Sequence, residues 1–245
     1  MSVFFISDLH LKPERPDLAR AFSYFLSHTA KDADALYLLG DIFDAWIGDD
    51  APVPGIEPLV AQLKALSESG CKIYFQHGNR DFLVGKAFTD MIGAELLTEK
   101  VVHELSIGNA LILHGDQLCI DDTDYMQFRA MVRNPLWQQQ MLSKSVAERI
   151  EMARQMRAAS KEQTAAKDEY ITDVNPAEVN TYLKDADVAL MIHGHTHRPM
   201  VHSIDNDGQQ ATRIVLGDWE KLGWYLKVDQ NDYELISFPI AETIA

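Results

Sequence analysis

Three features of the sequence predict an α/β fold with a largely parallel sheet at its centre. Short runs rich in Val, Ile, Leu, Phe and Tyr recur along the chain, helix-like segments separate most of them, and the runs end alike, at an Asp, Asn or His. Runs of this length and composition read as strands buried on both faces. Strands that alternate with helices favour parallel pairing, because each crossover returns the chain to the same end of the sheet.

The elements follow in order. VFFIS (3–7) runs into Asp8, and a helical pattern covers 17–30. ALYLLG (35–40) runs into Asp41, and a second helix is expected over 56–69, with Gly70 at its C-terminal stop. KIYFQHG (72–78) runs into Asn79 and precedes a helix at 84–92. ALIL (110–113), VALMIHG (188–194) and RIVLG (213–217) run into His114, His195 and Asp218. WYLKVDQNDYELISF (224–238) alternates apolar and polar residues on both sides of DQND, which predicts an antiparallel hairpin that closes the fold.

Residues 121–170 break this rhythm. They read as helices interrupted near Pro135, and they are the most basic stretch of an acidic protein, with Arg157, Lys161 and Lys167 among their cations. The segment reads either as an insertion over the strand ends or as a helical pair with a solvated charged face. Tyr125, Phe128, Met131, Val132, Trp137 and Met141 supply large apolar groups that could form an adaptable apolar wall.

The 245 residues suit one large domain, or a domain with an inserted subdomain, and 47% apolar content is enough for a core. A net charge of −15 argues against general binding to DNA or RNA. Cys71 and Cys119 read as buried, inert thiols in a reducing cytoplasm. The first ten residues have no basic segment, and their apolar run is broken at Asp8, so no signal peptide is expected. No stretch approaches the ~18–20 apolar residues of a membrane span, so any membrane contact should be at the surface.

In a parallel sheet, binding residues gather beyond the carboxyl ends of the strands. Turn formation alone explains Asp and Asn there. It does not explain His114 and His195, or the glycines Gly40, Gly78 and Gly194 placed directly before ligand-type residues. The candidate metal ligands are Asp8, His10, Asp41, Asn79, His114, His195 and His197. Oxygen and imidazole donors without thiolate suit Mn²⁺, Fe²⁺ or Mg²⁺ better than structural zinc. Seven donors exceed the needs of one catalytic zinc and suit two ions that share a carboxylate. Asp8 with His10, and His195 with His197, are spaced i, i+2, which in an extended segment points both side chains one way. His193 lies inside the apolar run and reads as a core or supporting residue.

The blocks DLH, GDIFD, GNRD, HGD and GHTH, in this order over residues 8–197, resemble the calcineurin-like metallophosphoesterase superfamily. A branch of that superfamily acting in the lipid A pathway of Gram-negative bacteria is similar over essentially the full length, 121–170 included. The resemblance implies a two-sheet sandwich flanked by helices, a single domain over 1–245, with 121–170 as a helical insertion that caps the substrate. It implies two Mn²⁺ ions, one held by Asp8, His10, Asp41 and His197, the other by Asp41, Asn79, His114 and His195. It implies attack of a metal-bound hydroxide on the α-phosphorus of UDP-2,3-diacylglucosamine, giving UMP and 2,3-diacylglucosamine 1-phosphate. Asn79 and His195 are the implied catalytic residues, with Arg80 a further catalytic candidate on its own chemistry, and Asn79, Asp122, Ser160, Thr164, Lys167 and His195 the implied substrate contacts. The implied setting is the cytoplasmic face of the inner membrane, with peripheral attachment, a monomeric chain and no nucleic-acid partner.

One departure from the superfamily pattern is informative. Many members carry His after the Asn of GNRD, where this chain has Arg80. A sugar-phosphate leaving group is already a weak base and needs charge stabilisation more than a proton. A guanidinium with five donors suits a diphosphate and makes Arg80 a substrate-binding candidate too. The plainer role for Arg80 is an ion pair with Asp81. Competing readings are a cyclic-nucleotide phosphodiesterase or nuclease on the same core, and a metal-binding scaffold without catalysis.

Overall fold

The computed structural model describes residues 2–165, 171–206, 208–230 and 232–241, with the backbone alone for 161–165. Its strands form two sheets. The first has six strands in the order β11-β10-β1-β2-β3-β4. Here β1 is Ser2–Ile6, β2 Ala35–Leu39, β3 Lys72–Gln76, β4 Ala94–Leu96, β10 Leu222–Asp229 and β11 Asp232–Pro239. The second has five strands in the order β5-β6-β7-β9-β8. Here β5 is Lys100–Leu105, β6 Gly108–Leu113, β7 Leu190–His193, β8 Met200–Asn206 and β9 Gln209–Val215.

The expected parallel centre is present in both sheets. β1 to β4 run parallel, and so do β6, β7 and β9. The predicted C-terminal hairpin, β10–β11, adds antiparallel strands beside β1. β4, β5 and β8 lie outside the runs picked from sequence. β5 and β8 are edge strands with exposed and half-buried residues, KVVHEL and MVHSIDN, so no continuous apolar signal marks them.

Side-chain alternation builds the layers. Val3 and Phe5 of β1, with Tyr37 and Leu39 of β2, pack against Ile112, Ile192 and Ile214 of the second sheet. Phe4, Ile6, Leu36 and Leu38 point the other way, onto the helices α1 (Pro16–Tyr24), α2 (Glu57–Glu68) and α3 (Lys86–Ile92). On the outer face of the second sheet, Leu111, Leu113 and Met191 meet Val179 and Leu183 of α7 (Pro176–Ala186). Each fully buried Phe or Leu contributes roughly 1.5–3 kcal/mol to this sandwich. Cys71 and Cys119 are free and buried, and burial raises both thiols, to about 11 for Cys71.

Between β6 and β7 the chain forms α4 (Thr123–Val132), α5 (Pro135–Leu142) and α6 (Val146–Ala165), three helices where two were the plainer expectation. Pro135 starts α5, and the Asn134 side chain caps it by accepting from the Leu136 and Trp137 N–H groups. α6 buries little apolar surface. Its anchor is Arg149, which pairs with Asp50 and donates to the Ile47 carbonyl at 2.6 Å. Val132 and Met141 join the core, whereas Met131 is exposed.

Candidate metal centre and active cleft

The strands of both sheets deliver their terminal residues to one place. Asp8 follows β1, Asp41 follows β2, Asn79 lies just beyond β3, His114 follows β6, and His195 follows β7. The backbone there is not extended. φ is +57° at Asp8, +50° at His10, +52° at Asp41, +68° at His195 and +56° at His197. The i, i+2 pairs therefore converge because the chain turns sharply at alternate residues, not through strand geometry. Interlocking hydrogen bonds hold these turns: the Asp8 N–H donates to the Gly40 carbonyl at 3.1 Å and the His10 N–H to the Asp41 carbonyl at 3.0 Å. The glycines leave room for the crossing. A Cβ on Gly78 would lie 2.1 Å from Asp41 Oδ1, and one on Gly194 would lie 2.4 Å from Asp8 Oδ2.

Two overlapping triads result. Asp8, His10 and His197 form one, and Asp8, Asp41 and His114 the other, each with donor atoms within 4.8 Å of one another. The Nε2 atoms of His10 and His197 are 3.3 Å apart, and His197 Nε2 is 3.4 Å from Asp8 Oδ1. His114 Nε2 is 3.8 Å from Asp41 Oδ1. Asn79 Oδ1 joins the second triad, 3.1 Å from His114 Nε2 and 2.9 Å from His195 Nδ1. Asp8 thus faces both triads, where the resemblance gave it to one ion. Asp8 Oδ1 and His10 Nδ1 are buried and have no hydrogen-bond partner. Orphaned donors of this kind, converging with carboxylate and imidazole, fit a divalent cation.

The electrostatics agree with that reading. Burial pushes Asp41 up and holds His10 and His195 down, His195 to about 4, so both imidazoles are neutral and able to ligate. Burial also opposes charge on His197, but the negative charge of Asp8 beside it, with Asp218 and Asp41, wins and raises it to about 9. A cation that binds there displaces this proton. His193 does not ligate. It is fully buried, with Nδ1 2.8 Å from the Gly194 carbonyl oxygen and Nε2 3.2 Å from Arg213 Nη1.

Three carboxylates missed as site residues organise the surroundings. Asp81 accepts from the N–H groups of Gly78 and Ile42, both at 2.8 Å, and of Asp41 at 3.2 Å, so it welds GDIFD to GNRD. It makes no pair with Arg80. That guanidinium instead lies 2.9 Å from Asp44 Oδ1 and 3.2 Å from Asp41 Oδ2. Asp44 also takes Arg157 at 2.7 Å. Asp116 accepts from the Tyr125 hydroxyl at 2.7 Å and Arg129 Nε at 2.9 Å, which ties α4 to the site floor. Asp44 and Asp116 stand inside the motifs GDIFD and HGD, and that position was the available signal.

Of the remaining candidates, Asp122 is buried and caps α4 through the Tyr125 N–H. Ser160 is exposed and lines both of the cavities beside α6. Thr164 lies on α6 without a described side chain, as does Lys161, and Lys167 lies outside the described residues. A polar cleft of about 760 Å³ includes His10, Lys12, Arg15, Arg80, Arg157, His197, Asp218 and Glu220. A narrow apolar chamber of about 70 Å³ lies between Trp46, Phe82, Phe128, Trp137, Met141 and Met156. Arg80, Arg157 and Ser160 line both. Of the apolar wall read from the sequence, Tyr125, Phe128, Trp137 and Met141 line this chamber; Met131 and Val132 do not.

Residues 1–199 match the family model for calcineurin-like phosphoesterases. The chain is 46% identical over 239 residues to a UDP-2,3-diacylglucosamine hydrolase of Stutzerimonas stutzeri (strain A1501), covering 98% of this chain and 100% of that one. The chain belongs to the calcineurin-like phosphoesterase family. A Pseudomonas aeruginosa (strain UCBPP-PA14) protein of the same name is 47% identical over 240 residues, with 98% and 100% of the two chains covered. Among solved structures, an archaeal phosphodiesterase shares the fold of this phosphoesterase at a TM-score of 0.50 and 13% identity, over 97% of this chain and 100% of that one. No helix among the described residues is long and apolar enough to cross a membrane.

Proposed function

We propose that this phosphoesterase hydrolyses the pyrophosphate bond of UDP-2,3-diacylglucosamine, with water attacking the α-phosphorus, and releases UMP and 2,3-diacylglucosamine 1-phosphate. One observation carries the reading: a polar cleft and an apolar chamber meet at Arg80 and Arg157, beside the ligand cluster. The substrate has the same order of parts, a nucleoside, a diphosphate and an acylated sugar. Similarity along nearly the whole chain to hydrolases named for this substrate supports the assignment.

Two Mn²⁺ ions held by Asp8, His10, Asp41, Asn79, His114, His195 and His197 would supply Lewis acidity and a water acidic enough to attack near neutral pH. The chain's own groups position the diphosphate. Arg80 and Arg157 share the single carboxylate of Asp44, which aims both guanidinium groups and leaves donors for phosphate oxygens. The leaving sugar phosphate departs as an anion, so Arg80 stabilises charge and no general acid is needed. Asn79 and His195 border the reacting phosphate, and Asp122, Ser160, Thr164 and Lys167 contact the rest of the substrate. The 121–170 helices cap the acyl chains. The chamber of about 70 Å³ takes only part of a chain, and a larger apolar groove of about 630 Å³ lies along α6, lined by Ile47, Val53, Val146 and Ile150.

The same cap suits peripheral attachment to the cytoplasmic face of the inner membrane. Leu136, Leu142, Val146 and Ile150 are exposed on it, and neighbouring cations favour anionic headgroups by about 1 kcal/mol each. The chain would act there as a monomer. Hydrolysis of the diacylated substrate in ¹⁸O-labelled water, read by mass spectrometry, tests the proposal. Label is expected in UMP; label in the lipid phosphate, or no products, would refute it.

A further inference from the structure

We infer that His193 is a positioning residue for the metal centre: its Nδ1–H, fixed in that tautomer by Arg213, holds the Gly194 carbonyl and so aims His195 and His197. This rests on reading the cluster as a divalent-metal site. The sheet register brings the two partners together. β7 and β9 run parallel with Met191 opposite Arg213, and side chains alternate along a strand, so Met191, His193 and Arg213 share the outer face of the second sheet. His193 is fully buried, and Arg213 Nη1 lies 3.2 Å from its Nε2. A guanidinium only donates, so Nε2 must accept, and the ring carries its proton on Nδ1. A ring with both protons would set an N–H against the guanidinium. Asp173, the acid whose charge Arg213 feels, pairs with Arg198 at 2.5 Å. Nδ1 lies 2.8 Å from the Gly194 carbonyl oxygen, to which it donates.

That carbonyl is the fixed point of the GHTH turn. It also accepts from the Thr196 N–H at 2.8 Å, so two donors meet on the one oxygen between His193 and His195. The flanking N–H groups are tied as well: Gly194 donates to the His114 carbonyl at 2.8 Å, and His195 to Asp8 Oδ2 at 2.9 Å. His195 and His197 hold φ of +68° and +56°, a conformation that persists only where several bonds fix it. The His193 ring also fills the space over Gly115, where a Cβ would lie 2.7 Å from Nδ1. It thus stands behind both HGD and GHTH. It lines neither the polar cleft nor the apolar chamber, so it acts through the backbone of its neighbours and not on substrate. Groups behind metal ligands that fix their orientation typically change metal affinity about 10–100-fold when removed.

The experiment is Mn²⁺ titration of the chelated full chain, read by the electron paramagnetic resonance of free Mn²⁺, for the wild type and three variants. His193→Phe keeps a ring and removes the donor, and its half-saturating Mn²⁺ concentration is expected to rise about 10–100-fold. The amide of His193→Asn reaches the place of Nδ1, and this variant is expected to stay within about threefold of the wild type, well short of that loss. His193→Gln carries its amide past that place, to the position of Nε2, and is expected to bind as weakly as His193→Phe. A long-range ¹H–¹⁵N spectrum of the Mg²⁺-loaded wild type should show the His193 proton on Nδ1. A proton on Nε2, wild-type affinity in His193→Phe, or equal losses in all three variants with a lower Tm of the chelated chain would overturn the role, the last by reducing His193 to core packing. Should His193→Phe fail to fold, the Asn and Gln variants decide, and equal affinities overturn the role. A wild type that binds no Mn²⁺ overturns the metal reading itself, whereas a wild type and a His193→Phe variant that bind alike overturn only the positioning role.

Discussion

At Asp8, His10, Asp41, His195 and His197 a non-glycine residue holds a left-handed backbone. Each such residue costs on the order of 1–3 kcal/mol and persists only where its surroundings over-determine it. Here the crossing hydrogen bonds between the Asp8 and Asp41 turns, and the bare Cα atoms of Gly78 and Gly194, provide that constraint. Asp41 has the most demanding position. It is buried, accepts from the Arg80 N–H at 2.8 Å, and faces both His10 and His114. Asp41→Ala is expected to cut turnover by about 10³-fold, the scale of losing a preorganised electrostatic group at the reacting centre. Bound metal, measured by plasma mass spectrometry, should fall with it. Near-normal turnover or metal content in that variant would remove Asp41 from its shared role.

Among the elements, α4, α5 and α6 are held both by apolar packing, through Val132 and Met141, and by polar ties. Asp116 secures α4, and Arg149 secures α6 to the loop at Asp50. The same packing forms the wall of the apolar chamber. It also separates residues that the sequence treated alike. Phe128 lines the apolar chamber, while Met131 on the same helix is exposed and lines neither cavity. Phe128→Ser is expected to raise KM for the diacylated substrate at least tenfold more than for a small soluble phosphodiester. Met131→Ser should alter neither value and should leave Tm within about 2 °C, as surface changes do. Equal effects of Phe128→Ser on both substrates would reduce the chamber to simple packing between cap and core.

Across the whole molecule, the centre is a seam between two sheets. Asp8, Asp41 and Asn79 come from the first sheet, and His114 and His195 from the second. A cation held by these residues would link the halves of the sandwich and offset buried carboxylate charge. Removing it with a chelator is expected to abolish activity and lower Tm by about 5–10 °C, since a ligand at a hundredfold its Kd stabilises by about 2.7 kcal/mol. Mn²⁺ should restore both better than Ca²⁺, because the donor set includes imidazole. A chelated protein with unchanged Tm and activity would argue that the cluster is purely structural.

The strands of the two parallel centres other than β4, their polar ends and the closing hairpin were legible in the sequence, because a strand buried on both faces must be a continuous apolar run and a hairpin with one wet face must alternate. The types of the clustered donors were legible for a similar reason, since glycine beside Asp, Asn and His is a local chemical signal. The edge strands β5 and β8 were not, because exposure removes the pattern that marks a strand. Nor were the left-handed turns that replace the expected extended pairs, because they are imposed by carbonyls from another strand end. The partners of Arg80 and Arg157 likewise depended on the fold: Asp44 lies 36 and 113 residues away from them in sequence, and the pairing of β2 with β3 brings Arg80 to it, while the packing of α6 against the strand ends brings Arg157. Local composition determined what each segment could become; long-range burial and charge decided which segments meet.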